Sequence, residues 1–172
     1  MKYAIIVAIT ALAALGQQPL VMNTKAPAFT GGPWLNTAGG AAPAPAKVTI
    51  VHFWTYGCYN CLNNLPVYAR WQQRFAGRDV AMVGVHTPEF DHEARVDNVQ
   101  AQIRRLEVRF PVLVDSGRRN WDRWNQQFWP AVYLVDAQGR IRYRWDGELN
   151  WRGTRGEEIM AQRIEQLLAE ER

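Results

Sequence analysis

The sequence contains little cysteine, and this limits the kinds of site that it can build. Cys58 and Cys61 are its only two cysteines among 172 residues, and three histidines accompany them. A closed structural zinc site needs four ligands, and with only two cysteines and three histidines available it is a poor explanation of the cysteine pair. A disulfide across two intervening residues would also stabilise the fold little, because the entropy that a disulfide removes grows with loop length.

The sequence also lacks any cluster of one charge. The formal net charge is +4, yet Lys and Arg are interleaved with Asp and Glu along the chain, as they are between residues 91 and 107. A nucleic-acid-binding surface needs clustered phosphate contacts, so this pattern predicts a mixed, solvated surface and no nucleic-acid partner. With 48% hydrophobic residues, a chain of this length can bury the core of one ordinary domain.

The most apolar run is YAIIVAITALAALG at residues 3–16, directly after Lys2. It is shorter than the roughly 20 apolar residues that a membrane-spanning helix needs. We interpret residues 1–16 as a signal peptide, with an uncleaved N-terminal membrane anchor as the alternative. Either places the protein in the periplasm or another extracytoplasmic compartment, where disulfides persist. Residues 17–46, rich in Gly, Pro and Ala, are predicted to be a flexible lead-in.

From residue 47 to residue 172, predicted strands and helices alternate. Apolar and β-branched runs predict strands at 47–54, 80–86 and 110–115, and a hairpin of two further strands on either side of the turn DAQG. Apolar residues at helical spacing predict helices at 59–75, 93–107 and 155–171, with a short helix inside 120–128. This order predicts one α/β domain with a mixed central sheet flanked by helices.

Both cysteines lie where the first of these strands ends and its helix begins. A helix N-terminus presents free N–H groups and positive potential, which stabilise a thiolate. Cys58 is therefore predicted to be the more exposed and more acidic thiol, and Cys61, one turn later, can attack a mixed disulfide on Cys58. Haem attachment would need His directly after the second Cys, where Leu62 stands. Copper(I) held by the two thiolates stays an alternative.

Three segments carry a resemblance to a known family: WTYGCYNC (54–61), GVHTPEF (84–90) and FWPAVYLVDAQGRIRYRWDGE (128–148). Together they resemble the thioredoxin-like, TlpA-type extracytoplasmic thiol-disulfide oxidoreductases, and most closely the DipZ-like branch, which is related to the AhpC/TSA redoxins. The resemblance runs from about Ala26 to the end of the chain. It implies a thioredoxin fold with the additional helix and strand of TlpA-type proteins, here near 91–115.

The resemblance implies a role for each matching residue. Cys58 takes the place of the attacking thiol and Cys61 that of the resolving thiol, so the two would form the redox-active disulfide. Pro130 takes the place of a cis-proline beside that disulfide, which predicts a cis Trp129–Pro130 bond. The residues expected to surround the active site are Trp54, Thr55, Tyr56, Tyr59, Asn60 and Trp129.

Two residues are candidates for proton handling. His52 occupies the position where thioredoxins carry a buried acid, and a histidine there could exchange a proton with Cys61. The alternative for His52 is a core histidine with a backbone hydrogen-bond partner. Glu89 follows the second predicted strand and either lines the site or lies in solvent. Asn64 stands where many TlpA-type proteins carry Glu, which puts their usual proton route in doubt here.

The resemblance implies an enzyme that reduces disulfides of other proteins and is then re-reduced by a membrane-borne thiol donor. It implies a monomer that needs no cofactor and no metal. One alternative is a peroxiredoxin-type thiol peroxidase, because Thr55-x-x-Cys58 is also found in that related family. The other is a non-enzymatic copper-binding module in which His52, His86 or His92 assists the two cysteines.

Overall fold

The computed structural model of the protein describes residues 20–171. The predicted signal peptide or anchor at residues 1–16 lies outside them. Among residues 20–171, no helix is both long enough and apolar enough to cross a membrane.

Seven strands and four helices make up the described chain. The strands are β1 (Leu20–Lys25), β2 (Trp34–Leu35), β3 (Val48–Trp54), β4 (Val80–His86), β5 (Val112–Val114), β6 (Ala131–Asp136) and β7 (Arg140–Asp146). The helices are α1 (Tyr59–Arg74), α2 (Val96–Arg105), α3 (Arg119–Arg123) and α4 (Gly156–Ala169). Short 3-10 helices cover Ala38–Gly40, Asp91–Ala94 and Trp151–Gly153.

The strands form one mixed sheet in the order β1-β7-β6-β3-β4-β5-β2. Strand β3 is central, and it pairs in parallel with β4 and antiparallel with β6. The parallel strands β3, β4 and β5 are connected by crossovers through α1 and α2, which is the usual way to join parallel neighbours. The predicted mixed sheet is therefore confirmed. The segment with the two cysteines follows the C-terminal end of the central strand β3.

The core has one layer on each face of the sheet. Side chains alternate along a strand, so Ile50 and Trp54 of β3 pack in the cluster with α1, α2 and α4. Val51 and Phe53 face the other side, where they pack in a cluster with Trp121 of α3 and with Trp124, which follows that helix. Residue 52 therefore points toward α1, beneath the cysteines.

The lead-in is more ordered than the sequence predicted. Within the predicted loose segment, β1 pairs with β7 and β2 pairs with β5, so these residues close both outer edges of the sheet. Phe29 stacks on Trp124 and meets Trp34 edge to face, which fixes the intervening chain to the core. Strand β2 has only two residues, and β1 (LVMNTK) does not alternate between apolar and polar residues, so neither shows a clear strand pattern in the sequence.

Other boundaries differ slightly from the predictions. Helix α2 starts at Val96 instead of residue 93, because a 3-10 helix occupies Asp91–Ala94. Helix α1 buries Asn64 and Val67 more fully than Leu65, so its inner face includes Cys61.

Candidate active site at the end of strand β3

The two cysteines occupy different environments at the start of α1. Cys58 is the N-cap residue, and its Sγ accepts a hydrogen bond from the backbone N–H of Cys61 at 3.3 Å. It is partly exposed, whereas the Cys61 side chain is buried. The expected difference in exposure is confirmed, and it arises because Cys61 is the third residue of α1 and lies on the buried face of that helix.

The same surroundings separate the acidities of the two thiols. A hydrogen bond from the Cys61 side chain, together with backbone N–H groups of the first helical turn, lowers the pKa of the Cys58 thiol. Burial raises the pKa of Cys61 well above its ordinary value, and the neighbouring Cys58 raises it further. The arrangement therefore favours a thiolate on the exposed sulfur and a protonated thiol on the buried one.

Pro130 lies at the same edge of the sheet. The Trp129–Pro130 peptide is cis, which confirms the prediction from the sequence. Ala131 pairs with Phe53, so Pro130 lies beside the end of β3 that leads into the cysteines. The Pro130 carbonyl accepts a hydrogen bond from Gly147 N–H at 2.7 Å, and Trp129 Nε1–H donates to the Thr87 carbonyl at 3.1 Å.

His52 lies in what we call the aromatic cluster, which consists of His52, Trp54, Tyr68 and Phe110. Its ring centre lies 4.2 Å from that of Tyr68 and 4.7 Å from that of Phe110. Within residues 20–171 neither ring nitrogen has a hydrogen-bond partner, so the backbone partner that the alternative interpretation of His52 predicted is absent. Burial lowers the pKa of His52 to about 3, and the ring is therefore neutral.

Tyr68 and Asn64 connect this cluster to Cys61. The sequence drew attention to Asn64 but not to Tyr68. Cys61, Asn64 and Tyr68 are spaced at i, i+3 and i+7, which places them on one buried face of α1. Asn64 Nδ2–H donates to the Tyr68 hydroxyl at 3.3 Å, and Asn64 Oδ1 accepts from Leu149 N–H at 2.9 Å. Burial raises the pKa of Tyr68, and the cysteines raise it further.

A second group, which we call the polar cluster, consists of Thr55, Tyr56, His86 and Glu93. His86 Nε2 lies 3.3 Å from Thr55 Oγ1 and accepts from Tyr56 N–H at 3.4 Å. Burial lowers the pKa of His86 to about 4, although nearby Glu93 and Asp115 oppose the shift. The Tyr56 ring stacks on His86 with centres 5.4 Å apart. The sequence predicted no catalytic role for either His86 or Glu93.

The remaining residues that were predicted to surround the site differ in their exposure to solvent. Tyr59 is 73% exposed beside Cys58, and Asn60 is also exposed, so both lie open to solvent. Trp54 is buried in the core. The Glu89 side chain is exposed, and its charge raises the pKa of both cysteines, which places it near the site.

Two features bear on the alternatives. The Thr55 hydroxyl contacts His86, whereas a peroxiredoxin-type site would need it beside Cys58. In the described part of the chain, no three His, Cys, Asp or Glu side chains come together as a metal site would require. In these residues, no histidine therefore joins the two cysteines in the way that the copper-binding alternative requires.

Comparison with known proteins identifies related sequences over most of the domain. A profile of the AhpC/TSA family matches residues 22–144. Protein DipZ of Mycobacterium tuberculosis is 34% identical over 119 residues, which are 67% of this chain but 17% of DipZ. Thiol-disulfide oxidoreductase YkuV of Bacillus subtilis is 24% identical over 124 residues, which are 72% of this chain and 79% of YkuV. The chain thus spans only a small part of DipZ.

A solved structure resembles the whole described domain. The solution structure of a thioredoxin-like protein in the oxidized form superposes with a TM-score of 0.70 at 22% identity, covering 87% of this chain and 98% of the other. At this identity the likeness concerns the fold, and it confirms the predicted thioredoxin-like α/β architecture.

Proposed function

This chain belongs to the AhpC/TSA family, and we propose that it is a thiol-disulfide oxidoreductase that reduces disulfides in other proteins through Cys58 and Cys61. One observation carries the proposal: the two thiols share a helix start but differ in exposure and in the direction of their pKa shifts. Such a pair has one sulfur ready to attack and one held back. The similarity to YkuV, a thiol-disulfide oxidoreductase by name, supports the same activity.

The reaction follows from this asymmetry. The Cys58 thiolate attacks one sulfur of a partner's disulfide, the partner's S–S bond breaks, and its second sulfur leaves as a thiolate that takes up a proton. Cys61 then loses its proton and attacks Cys58, so the mixed disulfide breaks and the partner leaves with both thiols reduced. Two electrons have passed to the partner, and the protein holds a Cys58–Cys61 disulfide.

Residues near the pair would position the partner. Pro130 and Trp129 lie at the sheet edge beside the end of β3, and exposed Tyr59 and Asn60 separate the two cysteines. An extended segment of the partner could therefore contact the cis-proline loop while its disulfide meets Cys58. We assign this positioning role to Pro130.

Proton transfer at the pair is better served by Glu89 than by His52. The charge of Glu89 acts on both thiols, and its side chain is open to solvent. His52 packs against Tyr68 and is a poor base, because burial lowers its pKa to about 3. The Tyr68 ring that His52 packs against lies on the same buried face of α1 as Cys61.

The sequence supports proposals for the cellular location of the protein and for the donor that re-reduces it. The apolar residues 1–16 support export or anchoring at a membrane, and DipZ-like similarity supports an extracytoplasmic site. In such a compartment a reductant must be re-reduced, which a membrane-borne dithiol protein would do. The redox potential should then be nearer that of thioredoxin, about −270 mV, than that of the oxidant DsbA, about −120 mV.

The test compares single-cysteine variants in reduction of a model protein disulfide. Cys58→Ser should reduce activity to the uncatalysed background while circular dichroism stays native. Cys61→Ser should also lose turnover, but it should accumulate mixed disulfides that a reductant releases. Turnover of Cys58→Ser at the native rate would contradict the proposal, and so would peroxide-dependent turnover with no activity on protein disulfides.

A further inference from the structure

Glu93 is a fully buried carboxylate within the 3-10 helix Asp91–Ala94. Burial of glutamate is rare and costly unless its oxygens are paired. No ion pair compensates Glu93 within residues 20–171, where the salt bridges all involve other residues. One of its oxygens contacts the turn at Glu89 and Phe90, and the other lies against Gly57, the residue before Cys58.

One carboxylate oxygen fixes the turn that carries Glu89. Glu93 Oε2 accepts hydrogen bonds from the backbone N–H of Glu89 at 2.7 Å and of Phe90 at 3.1 Å. Hydrogen bonds to a charged acceptor are shorter and stronger than neutral ones. Glu93 therefore holds the turn at residues 89–90, and this fixes the backbone position from which the Glu89 side chain extends.

The other oxygen touches the residue before Cys58. Glu93 Oε1 has no hydrogen-bond partner in the described chain, although it is buried. A Cβ atom on Gly57 would lie 2.0 Å from this oxygen, far inside van der Waals contact. Gly57 must remain glycine for the carboxylate to stay where it is, so the position of Glu93 and the path of the chain into Cys58 are coupled.

The titratable groups around this contact are few. His86 and Tyr56 face Glu93 from the ends of β4 and β3, and Glu93 raises the pKa of both. Asp115 acts on His86 from the end of β5. On the other side of Gly57, the groups that act on Cys58 are Cys61 and Glu89.

We propose that Glu93 is a positioning residue, which sets the acidity of Cys58 by holding the Glu89 turn and Gly57 in place beside it. This inference rests on the proposed role of Cys58 as the attacking thiol. While Glu93 makes these contacts, the negative charge of Glu89 stays near the two cysteines and opposes formation of the Cys58 thiolate. Without these contacts from Glu93, the turn that carries Glu89 can move away from the two cysteines, and the thiolate forms more readily.

The test measures the Cys58 pKa in the reduced full chain, from the pH dependence of iodoacetamide alkylation and of thiolate absorbance. Glu93→Gln keeps the shape and removes the charge. It should lower the Cys58 pKa by about half a unit, or about threefold in the thiolate-to-thiol ratio. Asp97→Asn, which neutralises an exposed acid on the adjoining α2, should leave it unchanged. No change with Glu93→Gln would overturn the proposal.

A second background separates positioning from the direct field of the carboxylate. In a Glu89→Gln chain, adding Glu93→Gln should give no further shift, because the effect passes through Glu89. A full additional shift would contradict the positioning role. Gly57→Ala displaces the carboxylate from the opposite side, so it should lower the Cys58 pKa and lose that effect in the Glu89→Gln chain. This variant decides the question if Glu93→Gln fails to fold.

These readouts do not require turnover. A protein that shows the Glu93 shift but does not reduce protein disulfides would contradict the proposed function alone. A protein that reduces disulfides but shows no shift would contradict the role of Glu93 alone.

Discussion

The polar cluster and the aromatic cluster each contain one buried histidine, and the two histidines are treated differently. His86 accepts from Tyr56 N–H and contacts the Thr55 hydroxyl, and a carboxylate lies nearby. His52 has no hydrogen bond in the described chain and lies among aromatic rings. The polar cluster adjoins the loop into Cys58, and the aromatic cluster adjoins Cys61. Charges and hydrogen bonds therefore adjust the exposed thiol, whereas desolvation dominates at the buried one.

The largest effect should come from opening the aromatic cluster. Tyr68→Ala removes a fully buried ring that contacts His52 and should destabilise the protein by about 3–5 kcal/mol. The same change at exposed Tyr59 should alter stability by less than about 0.5 kcal/mol. Urea unfolding of both variants provides the measurement. A similar loss in the two would mean that the cluster under α1 is not a packed core.

A smaller effect should distinguish the two histidines directly. His86→Leu leaves the Thr55 hydroxyl and Tyr56 N–H without their partner, which should cost about 1–3 kcal/mol of unfolding free energy. His52→Leu breaks no hydrogen bond and replaces a polar ring in apolar surroundings, so its stability should stay equal or rise. Chemical denaturation at pH 7 compares them. The reverse ranking would show that the contrast between the clusters has been drawn wrongly.

A third prediction concerns the pH dependence of stability. Burial holds the pKa values of His52 and His86 at about 3 and about 4, below the ordinary value of 6.5. Between about pH 6 and pH 4.5 the unfolded chain binds protons that the folded protein does not, so stability falls as the pH falls. Each histidine contributes a slope approaching one proton, about 1.4 kcal/mol per pH unit. His52→Leu should reduce the total slope by one such proton, and an unchanged slope would place a charged His52 in the fold.

Much of this architecture could be read from the sequence. Strands β3, β4, β6 and β7 and helices α1 and α4 have strong apolar periods, and the C-x-x-C pair at a strand-to-helix junction indicates the chemistry. The edge strand β2 has two residues, too few to show a period. Glu93 could not be recognised either, because a charged residue in the segment DHEA resembles a solvated one. Its burial depends on contacts with Gly57 and the Glu89 turn, which only the folded chain brings together.

The most direct test of the account is the order in which the two thiols of the reduced protein react. Alkylation over a range of pH, with each cysteine followed by peptide mass spectrometry, measures both in one sample. Cys58 should be labelled first, with an apparent pKa below that of an ordinary thiol, and Cys61 should resist labelling until the protein unfolds or the pH is strongly alkaline. Labelling of Cys61 first, or of both thiols with one shared pKa, would contradict the division of roles on which the mechanism depends.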